Sequence, residues 1–496
     1  MSETVITTYG PVSGSSQDGV LRWLGIPYAA APFGEKRLRQ PQPHPGWTEA
    51  RDATQPGPTV PKAPYREPFG ALLPEPHING EECLNLNIWA PEGADSLPVL
   101  FWIHGGAFVN GSGIVPHYEG TSFARNGVVV VTINYRLGAE GFLDTADEHS
   151  NNGLRDQIAA LEWVRDNIAA FGGDPTQVTI AGESAGAISV ACLLSSPLAD
   201  GLFRRAISQS GSAHLALKPS TAKMITAELA KRLEIEPTRE AFAAVDVDRL
   251  TAVVGAVRIE MATNPNPLVW GEAAQHAMAL EPVIDGDVLP QLPIESIRGG
   301  AGKGVDLLIG TNRDEFHFFT VPIGSQDLVN DQILQLAVMG YGYNPESVDT
   351  LAAFAGSDKP GDVLTRLITE WYFWRPSIRL AEAVAGNGGK SYMYEFAWES
   401  PAFDGKMGAC HYLEVPFVFN TLDVTEGHAL TGPTPPQNVA DSMHGAWVSF
   451  IKTGDPGWAP YDEQSRPTMI FDVKSAVEND PHAQNRAAWD NATVPR

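Results

Sequence analysis

The run Gly182-Glu183-Ser184-Ala185-Gly186 constrains this chain more than any other feature. It follows the apolar residues Val178-Thr179-Ile180-Ala181 and precedes a helix-like stretch over 187–194, so a serine stands at the tip of a strand-to-helix turn. Gly182 and Gly186 are expected to supply both the strained, positive-φ backbone of that turn and the close approach of strand to helix. A hydroxyl lifted out of a sheet in this way sits beside the free N–H groups and positive dipole end of the new helix, which favour an oxyanion. G-x-S-x-G alone recurs by chance. The strand-motif-helix order is what ties it to acyl transfer.

Such an elbow needs a parallel sheet around it. Leu97–Ile103 and residues 128–134 are apolar runs rich in valine and isoleucine, as strands buried on both faces require. Leu154, Ile158, Leu161 and Ile168 recur at helical spacing between the second run and the elbow strand, which gives a parallel crossover. Further strands are expected at 206–209, 305–309, Ser391–Phe396 and 468–471. The first ninety residues, punctuated by turn clusters such as Pro41-Gln42-Pro43-His44-Pro45-Gly46, read as a strand-and-loop cap on the sheet edge. Helical blocks near 221–280 and 325–385 read as insertions that wall a gorge. The expectation is one α/β domain over 1–496, with a mostly parallel central sheet and helices on both faces.

Charge and cysteine usage narrow the partners. A formal net charge of −25 disfavours nucleic acid and anionic membrane surfaces. No stretch of about 18 apolar residues marks a membrane span. Cys83, Cys192 and Cys410 match neither a zinc cluster nor a redox pair, so no metal or cofactor is expected. Residues 1–11 lack the basic start and apolar core of a secretion signal, which together with the cysteines predicts a reducing, cytoplasmic setting. The sequence sets no oligomeric state.

An acyl-transfer site also needs oxyanion donors, an acid and a base. His104-Gly105-Gly106-Ala107-Phe108 follows the apolar run 100–103, and its small residues leave backbone N–H groups open. Gly310-Thr311-Asn312-Arg313-Asp314-Glu315 places two carboxylates after a strand, where sites of open α/β sheets gather; either serves as the acid. Twelve histidines compete for the base. His411, in the loop segment 408–416, is the leading candidate, whereas His444 on the helix expected over 438–452 packs or is solvated.

These residues and five further segments resemble the type-B carboxylesterases and cholinesterases, especially bacterial para-nitrobenzyl esterase-like members. The segments are Leu24-Gly25-Ile26-Pro27-Tyr28-Ala29, Glu82-Cys83-Leu84-Asn85-Leu86-Asn87, Asn134-Tyr135-Arg136-Leu137-Gly138, Phe171-Gly172-Gly173-Asp174-Pro175 and Ser208-Gln209-Ser210-Gly211, all in the family's order. The resemblance spans nearly the whole chain. It implies an α/β-hydrolase fold and a Ser-His-Glu triad of Ser184, His411 and Glu315, with Glu315 preferred to Asp314 by motif. It implies oxyanion N–H groups from Gly106, Ala107 and Ala185. Glu183 is similar to the family's supporting acid, against the alternative of an exposed turn glutamate. Cys83 stands at the family's disulfide position, but no other cysteine lies in residues 1–82 to pair with it, and Ala107 replaces a glycine.

The function expected from all this is serine carboxylesterase action on a small-molecule ester through an acyl-enzyme. One rival keeps the machinery but acts mainly on carbamates, amides or lactones; another is a non-catalytic binding member of the fold, disfavoured because Ser184, Glu315 and His411 are all present. The aromatic runs 316–319 and 371–376 are candidates to line the gorge.

Overall fold

The apolar runs become the strands of one eleven-stranded mixed sheet in the computed structural model, which describes residues 3–145, 150–344 and 348–490. In chain order these are β1 (Ser15–Gln17), β2 (Val20–Pro27), β3 (Asn85–Pro91), β4 (Leu97–Ile103), β5 (Val129–Ile133), β6 (Gly173–Glu183), β7 (Arg205–Gln209), β8 (Asp306–Asn312), β9 (Ser391–Phe396), β10 (Pro467–Phe471) and β11 (Ala476–Asn479). Across the sheet they lie in the order β11-β10-β9-β8-β7-β6-β4-β5-β3-β2-β1. Every pair from β10 to β5 is parallel, and the pairs outside that span are antiparallel.

Successive residues of one strand serve opposite cores. Val99, Phe101 and Ile103 of β4 join one hydrophobic cluster while Leu100 and Trp102 join the other, and Val129 and Val131 face away from Val130 in the same way. Burial of both faces explains why these strands read as continuous apolar runs instead of alternating ones. The covering helices include α1 (Asn152–Asn167), wholly buried α2 (Ala185–Ser195), α3 (Val247–Thr263) and α4 (Gln437–Thr453). A buried Arg136–Asp156 pair, 2.7 Å at its closest, ties the loop after β5 to α1.

The amino-terminal cap is smaller than its sequence suggests. Thr4–Thr7, Gly10–Ser13 and Arg51–Asp52 form a separate small sheet, but β2 and β3 are full members of the main one. A register shift between Trp23 and Ile26 breaks the alternation of β2 and hides it from a period-two reading.

The parallel strands run the same way, so the loops after β4, β6, β8 and β9 leave one edge of the sheet. These loops carry His104 to Phe108, Ser184, Glu315 and His411.

Candidate active site

Ser184 joins β6 directly to α2 and takes φ 54°, ψ −121°, a strained conformation for a non-glycine residue. Its N–H donates to the Gln209 carbonyl at 2.9 Å and its carbonyl accepts from Ile188 N–H at 2.9 Å, so both neighbouring elements hold the turn. The glycines do not share the strain: neither Gly182 nor Gly186 has positive φ. Their task is proximity. A Cβ on Gly186 would lie 2.0 Å from the Ile103 carbonyl oxygen, and one on Gly182 would lie 2.4 Å from the Gly186 carbonyl carbon.

The loop after β4 folds against this turn. Gly105 is compelled by contact, because a Cβ there would sit 2.6 Å from Glu183 Oε2 and 3.1 Å from Ser184 Cβ. Gly106 has φ 109°, and Ala107 and Phe108 follow in the left-handed region at 52° and 59°. Among the described residues the N–H groups of Gly106, Ala107 and Ala185 donate to no protein acceptor. His104 braces the loop by donating from Nδ1 to the Gly105 carbonyl at 2.8 Å, and its ring stacks on Tyr135. Burial lowers its pKa to about 3, so it is neutral.

Of the two carboxylates after β8, the structure brings Glu315 to the histidine. Glu315 Oε2 accepts from His411 Nδ1 at 2.6 Å, and Glu315 Oε1 accepts from the Asn312 N–H at 2.8 Å. Asp314 instead accepts from Ala409 N–H at 2.9 Å, while Ala409 O accepts from the Asp314 N–H, also at 2.9 Å. This reciprocal pair pins the loop that carries His411. His444 lies elsewhere, packed on Phe123 and donating to Val418 O at 2.8 Å.

His411 is flanked on its other side by Glu183, whose Oε1 lies 3.1 Å from Nε2. Both carboxylates are buried, which removes the alternative of Glu183 as an exposed turn residue. Burial by itself would lower the His411 pKa, but Glu183 and then Glu315 more than offset it and push it up to about 9. Burial in turn drives Glu183 up to about 8, opposed by the imidazole.

Glu414, in the same segment 408–416 as His411, is a third buried acid, one to which the sequence assigns no role. It accepts from Gln209 Nε2 at 3.1 Å and from Asn312 Nδ2 at 2.7 Å, and Trp447 Nε1 donates to Gln209 Oε1 at 2.9 Å. Asn312 thereby links Glu414 to Glu315. The only available signal was its place three residues after His411.

Ser184 and His411 open into one cavity of about 620 Å³, together with Gly105, Gly106, Ala107 and Glu183. Phe318, Phe319 and Tyr118 give it apolar walls, and α3 supplies another side. The aromatic run 371–376 falls differently. Phe373 packs with its ring centre 5.0 Å from that of His411, whereas Trp371 and Pro376 line a separate cavity of about 260 Å³. The three cysteines are buried and unpaired. No described cluster of three or more His, Cys, Asp or Glu side chains could hold a metal ion, and no described helix is long and apolar enough to cross a membrane.

A serine at a strained elbow, a histidine bonded to a buried glutamate, and open N–H groups facing one cavity are the parts of a serine hydrolase. A model of the carboxylesterase family matches residues 1–489. The chain belongs to that family. It is 36% identical to the para-nitrobenzyl esterase of Bacillus subtilis (strain 168), with 98% of each chain covered. It is also 36% identical to the phenmedipham hydrolase of Pseudarthrobacter oxydans, over 91% of this chain and 90% of that one. The crystal structure of a carboxylesterase of Geobacillus stearothermophilus superposes with a TM-score of 0.85 at 39% identity, covering 98% of this chain and 99% of the other. The carboxylesterase fold is that of the α/β-hydrolases, and this chain is a carboxylic ester hydrolase acting on small-molecule esters.

Proposed function

We propose that Ser184, His411 and Glu315 form the catalytic triad and that hydrolysis passes through an acyl-enzyme on Ser184. The observation that carries this is the 2.6 Å bond from His411 Nδ1 to Glu315, which leaves Nε2 in the cavity that Ser184 enters. His411 Nε2 takes the proton of Ser184 Oγ as the oxygen attacks the ester carbonyl. The N–H groups of Gly106, Ala107 and Ala185 receive the resulting oxyanion. They serve without reorganising, because the loop is already held by contact and backbone strain. The imidazolium then protonates the leaving alcohol, and a water molecule repeats the sequence on the acyl group. Glu315 keeps Nδ1 as the donor and stabilises the cation; Glu183 adds a second negative neighbour.

The test is substitution of the unit as well as its parts. Ser184→Ala and His411→Ala should each lower kcat by on the order of 10⁴ or more, and the double variant should cost little further. Additive losses, or ester turnover retained by folded Ser184→Ala, refute the triad.

A further inference from the structure

The chain is strongly acidic, at −25, yet the cavity over Ser184 is lined by two guanidiniums and a single carboxylate. The carboxylate is Glu183, already held beside His411. One guanidinium is Arg258, on the face of α3 that turns Thr251, Gly255, Ile259 and Ala262 to the cavity at spacings of three, four and seven residues. The other is Arg66, on the loop that also brings Tyr65 and Phe69. Several buried or half-buried arginines elsewhere meet an acid: Arg37 meets Glu140, Arg136 meets Asp156, Arg155 meets Asp287 and Arg313 meets Glu399. Among the described residues neither Arg66 nor Arg258 has a carboxylate within ion-pair distance, although Arg258 is half-buried.

A cation withdrawn from water without a counter-ion is costly, and an incoming anion offsets that cost. Arg258 shows the strain. Burial holds its pKa below the usual arginine range, Tyr65 opposes the shift, and the neighbouring Arg66 adds to it. A smaller cleft shares Ala63, Asn110, Thr251, Gly255 and Arg258 with the main cavity; it is also lined by Lys62, whose pKa burial lowers to about 8 against the pull of Glu75, and by Glu140, which is bonded to Arg37. The two guanidiniums thus stand together at one side of the main cavity, in a protein whose overall field repels anions.

Resting on the assignment of Ser184, we propose that Arg258, assisted by Arg66, forms an anion-binding subsite, and that the preferred esters carry a carboxylate apart from the scissile carbonyl. A guanidinium fork suits a carboxylate, which it can grip through two parallel N–H bonds. The carboxylate could belong to the acyl part or to the alcohol part, and the two sources present the same group to Arg258.

Two substrate series separate these sources. Monomethyl esters of dicarboxylic acids, from succinate to suberate, are compared with methyl alkanoates of equal length; butyrate esters of ω-hydroxy acids are compared with butyl butyrate. The quantity read is the ratio of kcat/KM for the charged ester to that for its neutral partner. In the favoured series Arg258→Gln should lower this ratio at least about tenfold, chiefly through KM, and Arg258→Lys, which keeps the charge but not the fork, should restore only part of it. Arg66→Gln should lower it by about threefold, and decides the matter if Arg258→Gln does not fold. A ratio indifferent to these substitutions in both series overturns the subsite, as does a wild type that cleaves neutral esters and no charged one. Cleavage of either kind of ester that persists in folded Ser184→Ala overturns the assignment of Ser184 instead.

Discussion

Replacing Glu183 with glutamine should move the acidic limb of the pH–rate profile downward. The imidazole must be neutral to accept the serine proton, so log kcat/KM rises with pH until His411 has lost its proton. Glu183 Oε1 lies 3.1 Å from His411 Nε2, and Glu315 Oε2 lies 2.6 Å from Nδ1. A unit charge at the Glu183 distance stabilises the imidazolium by roughly 1.3 kcal/mol at the dielectric of water and roughly 5 kcal/mol at an effective value of 20. At about 1.36 kcal/mol per pKa unit, those bounds correspond to shifts of about one and about four units. Glu183 is itself driven up to about 8, so it is only partly ionised across the assay range and the lower bound is the better guide. From a wild-type limb near 9, Glu183→Gln should bring the midpoint down by about one unit. The near-isosteric amide keeps the packing against Gly105. The assay is initial-rate hydrolysis of a neutral short-chain ester in a pH-stat, from pH 5 to 10, with folding checked by circular dichroism. A limb that stays in place, or moves to higher pH, refutes the claim that Glu183 sets the basicity of His411.

Other outcomes follow from the same geometry. Glu315→Gln should cost far more kcat than Asp314→Asn, since only Glu315 holds the imidazole; Asp314→Asn should appear instead as weaker stability of the loop near Ala409, read by hydrogen exchange. Ala107→Val should depress all esters by about 10² or more in kcat, because a β-branched residue at φ 52° displaces the oxyanion amide; a loss confined to bulky alcohols would indicate crowding alone. Gly186→Ala should destabilise the fold by about 1–3 kcal/mol or more in urea unfolding, given a backbone oxygen 2.0 Å from the new methyl. Gly445→Ala, in open space on α4, should be neutral or stabilising by up to about 1 kcal/mol.

The elements legible in the sequence were those whose burial imposed a simple pattern. Strands β4, β5 and β6 sit between two cores and therefore read as unbroken apolar runs, and α1 shows its spacing because one side meets the sheet. Residues chosen by a turn's exact path were harder. Asp314 and Glu315 are adjacent carboxylates in the same turn, and only the folded loop reveals that one faces His411 and the other faces Ala409. Glu414 escaped because its partners, Gln209 and Asn312, lie 205 and 102 residues away. The aromatic run divides within the π-helical turn Glu370–Trp374, where Phe373 packs its ring against His411. Trp371, in the same turn, lines a different cavity from Phe318. The elbow glycines were recognised as necessary, but the strain belongs to Ser184 and the close contact to Gly182 and Gly186.

Acylation of Ser184 during turnover is the step on which the proposed mechanism depends. Rapid acid quench of the enzyme with a neutral activated ester, followed by intact mass measurement and peptide mapping, tests it directly. A mass gain equal to one acyl group is expected, located on the peptide containing Ser184, absent from Ser184→Ala and lost again as substrate is exhausted. An adduct on another residue, or steady turnover with no adduct and full activity in the Ser184→Ala protein, would contradict it.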